Sequence, residues 1–393
     1  MQTVEAGGLG IGDEHPPRIM GVLNVSEESP YDPSVFADAG AAAAYVDDDL
    51  IDEGADIVDV GLESANKRFE VLDPEEELQR LDTALEVIES VSGDAVFSIE
   101  TRYHEVAERA LSEGFDMVND ICGFADPELP AVCREFDAAV GKMASPADLQ
   151  RPGAVEEVDW AARRSPAWAD RADYVDMVYE ALKHNGLTDK TIVDPAFGGW
   201  SEAKTLDDDR DTFRRLREFR GLGQPILVSI NRKNFLRAIA DRSTEAALPV
   251  SLAATSMAVE RGAHVVRTHD VAETRDAALV GAELGGGSLR DDEIGVEQLD
   301  VVTPGDAARH LERVDGDLDP GETVLHTYEC TGLDAEARAT LEVVAPNHGV
   351  AVAGTGKSIL LVGTPAAFRR FGHETDATTP LGTVIRRITE DCR

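Results

Sequence analysis

The sequence has few lysines and no long apolar run, and both shortages limit what the protein can be. Only seven of its 37 basic residues are lysines, and 76 acidic residues bring the net charge to −39. A nucleic-acid-binding surface needs a basic face, which this balance argues against. No run of about 18 apolar residues occurs, and residues 1–17 lack the basic and apolar regions of a signal peptide. We therefore expect a soluble cytoplasmic protein without nucleic-acid or membrane partners.

Cysteine is also scarce, and the pattern of the four cysteines excludes common metal and redox motifs. The four residues are Cys122, Cys133, Cys330 and Cys392. They are scattered along the chain and form no C-x-x-C pair and no metal-ligand spacing. We predict free thiols in a reducing compartment.

Short apolar runs alternate with helical patterns over the first 270 residues or so. The eight predicted strands are residues 18–24, 55–61, 95–100, 116–121, 138–143, 191–196, 225–230 and 264–269. The clearest helix follows the second strand, where Asp73 suits the N-cap, Pro74 the first helical position and Glu76 the capping-box position. Its apolar residues recur at helical spacing, at Leu78, Leu81, Leu85 and Ile88.

The count of eight units favours an α/β fold of the (β/α)8 TIM-barrel type, although an open sheet stays possible. Polar residues at the strand ends support the barrel, because its carboxyl-end face carries the chemistry. These residues are Asn24, Glu63, Glu100, Asn119, Asp194, Asn231, Lys233, Arg267 and His269. For a single Asn or Asp, helix capping is the more common explanation, but Lys233, Arg267 and His269 are not capping residues.

The pattern changes after the glycine-rich stretch at residues 285–287. We predict three parts: an N-terminal extension over residues 1–17, the barrel over 18–286, and a small α+β domain over 287–393, compatible with a ferredoxin-like type. The stretch AVAGTGKS, residues 351–358, resembles a phosphate-binding loop but lacks its first glycine and precedes an apparent strand. A β-hairpin is the better interpretation.

Six stretches, read in order, resemble the signatures of dihydropteroate synthase, of the pterin-binding barrel superfamily. They are MGVLNVSEES (20–29), GADIVDVGLES (54–64), the segment from FSIETR to VNDI (97–121), IVDPAFG (192–198), INRKNF (230–235) and ERGAHVVRTHDVAET (260–274). Their collinear order makes the resemblance far more specific than any one motif does.

The resemblance implies an enzyme that joins p-aminobenzoate to 6-hydroxymethyl-7,8-dihydropterin pyrophosphate and releases pyrophosphate, a step of folate biosynthesis. It implies pterin binding by Asn119, Asp194, Lys233 and, where the family has aspartate, Glu100. It implies that Arg267 and His269 bind the diphosphate and that Asn24 helps to hold its Mg²⁺. A homodimer is also implied. Physically, the pterin's donors need acceptors in a dry cleft, and the leaving group needs cations and donors.

Two loops depart from the family's pattern. In the first, Ser26 and Asp32 are retained in kind while a phenylalanine and glycines are lost. In the second, after Glu63, the family's TRPG is replaced by residues 65–68, which include Asn66, Lys67 and Arg68. The half of the site that binds the second substrate is therefore rewritten.

These departures leave three hypotheses open. The first is a dihydropteroate synthase in which Lys67 or Arg68 replaces the lost arginine. The second is a pterin-binding barrel that uses a different arylamine, and the third is a non-catalytic, regulatory pterin-binding paralogue. A corrinoid methyltransferase is a weaker fourth, because it has no need of the anion-binding pair.

The acid excess itself predicts an origin in high salt. We expect the melting temperature to fall when molar KCl is diluted to ~0.1 M, because the screening length grows from about 3 Å to about 10 Å and carboxylates begin to repel one another. Circular dichroism melts at both salt concentrations measure this. An unchanged melting temperature would contradict the hypothesis.

Overall fold

The computed structural model describes residues 1–25, 34–36, 38–63, 71–144, 158–198, 204–285, 290–291, 296–354, 358–375 and 379–391. The chain divides into two compact units, Met1–Gly287 and Ser288–Arg393. No helix among the described residues is long and apolar enough to cross a membrane.

The first unit begins with a small antiparallel hairpin, β1 (Val4–Ala6) and β2 (Leu9–Ile11). Eight parallel strands follow: β3 (Arg18–Asn24), β4 (Ile57–Gly61), β5 (Val96–Glu100), β6 (Met117–Asp120), β7 (Ala139–Met143), β8 (Thr191–Asp194), β9 (Leu227–Val228) and β10 (Val265–Thr268). Neighbouring strands run β8-β7-β6-β5-β4-β3-β10-β9, and a parallel bridge between Val193 and Ile226 joins the two ends of this order. The predicted (β/α)8 barrel is confirmed.

Helices cover the outside of the barrel. Those of the first unit are α1 (Ala39–Tyr45, continued by a π-helical segment Val46–Ile51), α2 (Pro74–Ser90), α3 (His104–Ser112), α4 (Leu129–Glu135), α5 (Trp160–Arg163), α6 (Pro166–Ala169), α7 (Tyr174–Lys183), α8 (Leu206–Arg214), α9 (Asn234–Ala240), α10 (Leu248–Glu260) and α11 (Val271–Leu284). The predicted start of α2 is confirmed: Asp73 accepts from the Glu76 backbone N–H (2.9 Å), and Glu76 accepts from that of Asp73 (3.0 Å). Leu81 and Leu85 are buried, and Leu78 and Ile88 pack against the core as partly buried residues.

The N-terminal hairpin closes the amino end of the barrel. Val4, Ala6 and Ile11 form one apolar cluster with a residue from each of the eight strands. These strand residues are Met20, Ile57, Val96, Met117, Ala139, Ile192, Leu227 and Val265. Because the barrel floor is packed in this way, the open end is the carboxyl end.

The second unit contains a short pair, β11 (Arg290–Asp291) and β12 (Val296–Glu297), and a three-stranded antiparallel sheet. Its elements continue as α12 (Pro304–Arg313), β13 (His326–Thr331), α13 (Ala335–Val344), β14 (Ala351–Ala353), β15 (Ser358–Gly363), α14 (Pro365–Glu374) and α15 (Pro380–Asp391). The sheet order is β13-β15-β14. This βαββα path corresponds to the first three strands of a ferredoxin-like unit, but among the described residues α15 follows where that fold has its fourth strand.

The hairpin interpretation of AVAGTGKS is confirmed for its strands. Residues of β14 pair antiparallel with β15, for example Val352 with Leu361. A phosphate-binding loop would continue into a helix, whereas Ser358 begins a strand. Residues 355–357 of the turn lie outside the described residues.

The cysteines that the structure describes, Cys122, Cys133 and Cys330, are free, as predicted, and they are buried. Cys392 lies outside the described residues.

The packed floor gives a stability prediction. Ile11→Ala should lower the free energy of unfolding by about 2–5 kcal/mol, because its fully buried side chain would leave a cavity. Ile239→Ala is the matched control, since its side chain is 64% exposed, and should change the free energy by no more than ~0.5 kcal/mol. Urea unfolding of both variants measures the difference, and equal values would show that the hairpin does not seal the floor.

Candidate active site

The parallel register brings predicted site residues to one level at the carboxyl end of the barrel. Asn24 pairs with Gly61, Gly61 with Glu100, and Glu100 with Asn119 across β3, β4, β5 and β6. Asp194 ends β8, and Arg267 lies in β10. Residues far apart in the sequence therefore surround one opening.

A buried carboxylate on β4, Asp59, lies at the centre of the site. It is 0% exposed. Its oxygens accept hydrogen bonds from Ser98 Oγ (2.8 Å), Asn119 Nδ2 (2.9 Å) and Arg267 Nε (2.7 Å). A buried carboxylate is stable only when donors compensate for lost water, and here donors on β5, β6 and β10 do so. Sequence reasoning missed Asp59, although a carboxylate inside the apolar stretch IVDVG is the signal that could have revealed it.

Arg267 makes a second contact, to Glu100. Its Nη2 lies 2.8 Å from Glu100 Oε2, and the two side chains keep 18% and 13% of their surface exposed. Burial raises the pKa of Glu100 to about 7, although the Arg267 charge acts in the opposite direction. One guanidinium thus orients a fully buried carboxylate and holds a partly exposed one.

Asp194 and Lys233 line the opposite part of the opening. Asp194 is buried and accepts from the Ala196 backbone N–H (2.7 Å), and burial raises its pKa to about 6. Burial, and next the nearby Arg267 charge, lower the pKa of Lys233 to about 8. A Cβ at Gly198 would lie 3.2 Å from Lys233 Nζ, so glycine permits this close approach of the chain.

The turn after β8 is held by a buried ion pair that sequence reasoning missed. Lys204 Nζ lies 2.7 Å from Asp209 Oδ1 and donates to the Ala196 carbonyl (2.7 Å). Asp209 also accepts from the Gly198 backbone N–H (3.2 Å). Ala196 adopts a left-handed φ of 63°, which is strained for a residue with a Cβ. These contacts fix the backbone beside Asp194 in that conformation.

A short hydrogen-bonded chain connects Asn24 to His269. Asn24 Nδ2 donates to Ser34 Oγ (3.0 Å), which lies 3.3 Å from His269 Nδ1. The Ser34 hydroxyl accepts from Asn24 and can exchange a hydrogen bond with Nδ1 in either direction, depending on the tautomer of His269. Burial, and next the Arg267 charge, lower the pKa of His269 to about 3. His269 is therefore neutral at pH 7 and offers a donor, not a charge.

The same chain determines which atom of Asn24 is presented to the site. With Nδ2 bonded to Ser34, the amide oxygen Oδ1 is directed toward Gly61, where a Cβ would lie 2.9 Å away. An amide oxygen is a ligand that suits Mg²⁺. Among the described residues, the one group of three side chains able to hold a metal lies elsewhere, at His104, Glu105 and Asp126.

Asn231 follows β9, and its side chain forms a hydrogen bond with another side chain of the protein. Its Nδ2 donates to Asp270 Oδ2 (2.9 Å), and Arg232 donates to both oxygens of Asp270 (2.8 and 2.7 Å). This network links the segment that carries Lys233 to the one that carries His269. Arg232 and Asp270 are positioning residues that sequence reasoning did not identify.

Glu63 forms a second buried ion pair beside the opening. Arg102 Nη2 lies 2.7 Å from Glu63 Oε2, and both side chains are buried. Nearby, Thr101 Oγ1 donates to Glu77 (2.5 Å), and burial raises the pKa of Glu77 to about 7. The pair fixes the chain where β4 enters the second loop. The remaining predicted loop residues lie outside the described residues: Ser26, Asp32, Asn66, Lys67 and Arg68.

Comparison with known proteins agrees with this geometry. Residues 20–269 match the family described as pterin binding enzyme. A probable bifunctional folylpolyglutamate synthase/dihydropteroate synthase from Halobacterium salinarum is 33% identical over 263 residues, which are 67% of this chain but 31% of that protein. The chain thus spans about a third of the length of that relative.

Shorter relatives are covered almost completely. Dihydropteroate synthase from Neisseria meningitidis is 31% identical over 290 residues, 72% of this chain and 97% of that protein. A solved structure of dihydropteroate synthase from Coxiella burnetii in complex with pteroic acid superposes with a TM-score of 0.56 and 27% identity, covering 72% of this chain and 98% of that one. The barrel thus has counterparts in known enzymes, and this chain belongs to the family of pterin binding enzymes.

Proposed function

We propose that the protein is a dihydropteroate synthase. It would condense 6-hydroxymethyl-7,8-dihydropterin pyrophosphate with p-aminobenzoate and release pyrophosphate. The observation that carries the proposal is the Arg267 side chain, which contacts Asp59 and Glu100 beside Asn119. Acceptors for a pterin and a cation for a diphosphate are thereby adjacent. The names of the relatives support the same activity.

The residues divide into two functional groups. The first group offers oxygens to the N–H donors along the pterin edge, from Glu100, Asn119 and Asp194. Lys233, which lies close to Gly198, borders the same cleft. Buried acceptors of this kind recognise a heterocycle, because an unmatched ligand would leave them without donors. Asn119 is already oriented by its bond to Asp59.

The diphosphate end would be bound by Arg267 and His269, with Asn24 beside them. The amine nitrogen of the arylamine forms a bond to the methylene carbon, the carbon–oxygen bond breaks, and the leaving oxygen gains negative charge. The new secondary ammonium then releases its extra proton to water. Arg267 stabilises that charge, and the neutral His269 donates a hydrogen bond. Since no protein nucleophile is needed, these side chains act by positioning and electrostatics.

We propose Mg²⁺ as the cofactor of this end of the site. Asn24 Oδ1 would help to hold it, together with the substrate's phosphate oxygens and water, which is the usual manner in which proteins bind this ion. When bound, Mg²⁺ neutralises charge on the diphosphate.

We also propose that the protein acts as a homodimer in a cytoplasm of high salt. The net charge of −39 and a relative from Halobacterium salinarum support the high-salt origin. Exposed apolar side chains on α10 and α11 support a dimer contact. These side chains are Met257, Leu279, Val280 and Leu284. Light scattering in molar KCl measures the mass directly.

The activity has a direct test. In molar KCl with Mg²⁺, the purified protein should release pyrophosphate from the dihydropterin ester only when p-aminobenzoate is present, and EDTA should stop the release. Asp194→Asn should lose pterin binding, because the amide brings donors to the place of a double acceptor. Phosphate released after pyrophosphatase treatment is the readout.

The same assay separates the alternatives. Pterin binding without turnover would indicate a non-catalytic paralogue and overturn the proposal. Turnover with another arylamine but not with p-aminobenzoate would show that the second substrate is that other arylamine.

Pterin affinity should depend on pH. Burial raises the pKa values of Asp194 and Glu100 to about 6 and about 7, and only the deprotonated carboxylates accept N–H donors with both oxygens. Affinity for 6-hydroxymethylpterin should therefore rise between about pH 5 and 7.5. Titration calorimetry measures it; an affinity that stays constant or falls over this range would exclude recognition by these carboxylates.

A further inference from the structure

The Glu100–Arg267 ion pair joins the two halves of the proposed site. Glu100 belongs to the pterin half and Arg267 to the diphosphate half, yet Arg267 Nη2 donates to Glu100 Oε2 at 2.8 Å. The contact therefore occupies a pterin acceptor and a diphosphate donor at the same time. Nη2 and Oε2 are thus engaged with each other while the pair is closed.

The two carboxylates on Arg267 are not equivalent. Asp59 is 0% exposed and accepts three hydrogen bonds, from Ser98, Asn119 and Arg267. Glu100 is 13% exposed, at the end of its strand. Asp59 is thus a fixed anchor for Nε, whereas a ligand in the opening can reach Glu100.

The charges around Arg267 also oppose an anion. One guanidinium contacts two carboxylates, Asp59 and Glu100, so these three side chains together carry an excess negative charge when both carboxylates are ionised. A diphosphate that approached Nη2 would meet the Glu100 carboxylate, and like charges at contact distance repel. Anion binding at Nη2 is therefore favoured when Glu100 leaves Arg267 or loses its charge.

We infer that Glu100 and Arg267 form a latch that couples recognition of the pterin to binding of the diphosphate. The pterin's N–H donors draw the Glu100 carboxylate away, and Arg267 Nη2 then becomes available to the diphosphate. The longer side chain of glutamate gives the reach for this contact. The inference rests on the proposed function and adds a coupling mechanism to it.

The protonation state of Glu100 affects the strength of this contact. Burial raises the pKa of Glu100 to about 7, with Arg267 and Arg102 lowering it and Asp59 and Glu63 raising it. Near neutral pH, a proton therefore competes with Arg267 for the carboxylate. A ligand that supplies several donors at once competes more effectively.

The latch has a thermodynamic consequence. If one ligand opens the ion pair, the second ligand binds without having to open it again. Each ligand therefore increases the affinity for the other by the same factor. A pterin without phosphate and inorganic pyrophosphate should thus bind cooperatively as separate molecules. The expected coupling is about fivefold or more in the dissociation constant, the lower end of typical couplings.

Titration calorimetry tests this with two ligands at constant KCl and Mg²⁺ concentrations and at pH 7.5. Pyrophosphate is titrated into the protein alone and into the protein saturated with 6-hydroxymethylpterin. The wild-type protein should bind pyrophosphate at least about fivefold more tightly in the second titration. Independent binding of the two ligands would overturn the latch and leave the proposed function intact; if neither ligand binds, both are wrong.

Variants identify the residue responsible. Glu100→Gln removes the charge, and Glu100→Asp shortens the side chain. Both variants should bind pyrophosphate alone more tightly than the wild-type protein does. Saturation with pterin should no longer increase their affinity for pyrophosphate. A merely structural role would weaken pyrophosphate binding in both variants, and that result would contradict the latch. Circular dichroism melts establish that each variant is folded, and if Glu100→Gln does not fold, Glu100→Asp gives the answer.

Glu77→Gln is the matched control. Glu77 is another buried glutamate whose pKa burial raises to about 7, and its described hydrogen bond comes from Thr101. Glu77→Gln should retain the wild-type coupling. Loss of coupling in this variant would mean that the overall charge of the cluster, not the Glu100–Arg267 contact, controls anion binding, and would overturn the latch.

Discussion

The buried carboxylate of Asp59 is the constraint on which the site depends. A charge at the centre of a barrel is tolerated only with donors around it, and Ser98, Asn119 and Arg267 supply them from three other strands. The requirement fixes an amide and a guanidinium in defined orientations before any ligand arrives. Preorganisation of this kind spares a ligand the cost of ordering the side chains.

Around this anchor, burial sets the protonation of the working groups. It raises the pKa values of Glu100 and Asp194 toward neutrality, lowers that of Lys233 to about 8 and keeps His269 neutral. The site can therefore adjust its charge to a ligand that carries donors at one end and anionic oxygens at the other. Arg267 keeps its charge throughout. Burial lowers its pKa, but the adjacent carboxylates of Asp59 and Glu100 raise it, and the net shift is upward.

Supporting contacts hold the backbone that carries these groups. The Lys204–Asp209 pair fixes the strained turn beside Asp194, and the network of Asn231, Arg232 and Asp270 joins the segments of Lys233 and His269. A barrel allows such bonds because its carboxyl-end loops converge on one opening. The structure thus shows which of these residues bond to one another, which the sequence motifs do not indicate.

The sequence by itself determined the barrel, the capped start of α2 and the positions of the site residues at strand ends, because periodicity, capping and strand order are local signals. It did not reveal Asp59 as the hub, the Glu100–Arg267 contact or the Glu63–Arg102 pair. The partners in these contacts are separated by 39 to 208 residues, and no local pattern records which side chains meet. Only the tertiary structure decided them, because barrel closure brings β10 beside β3 and places its arginine within reach of β4 and β5.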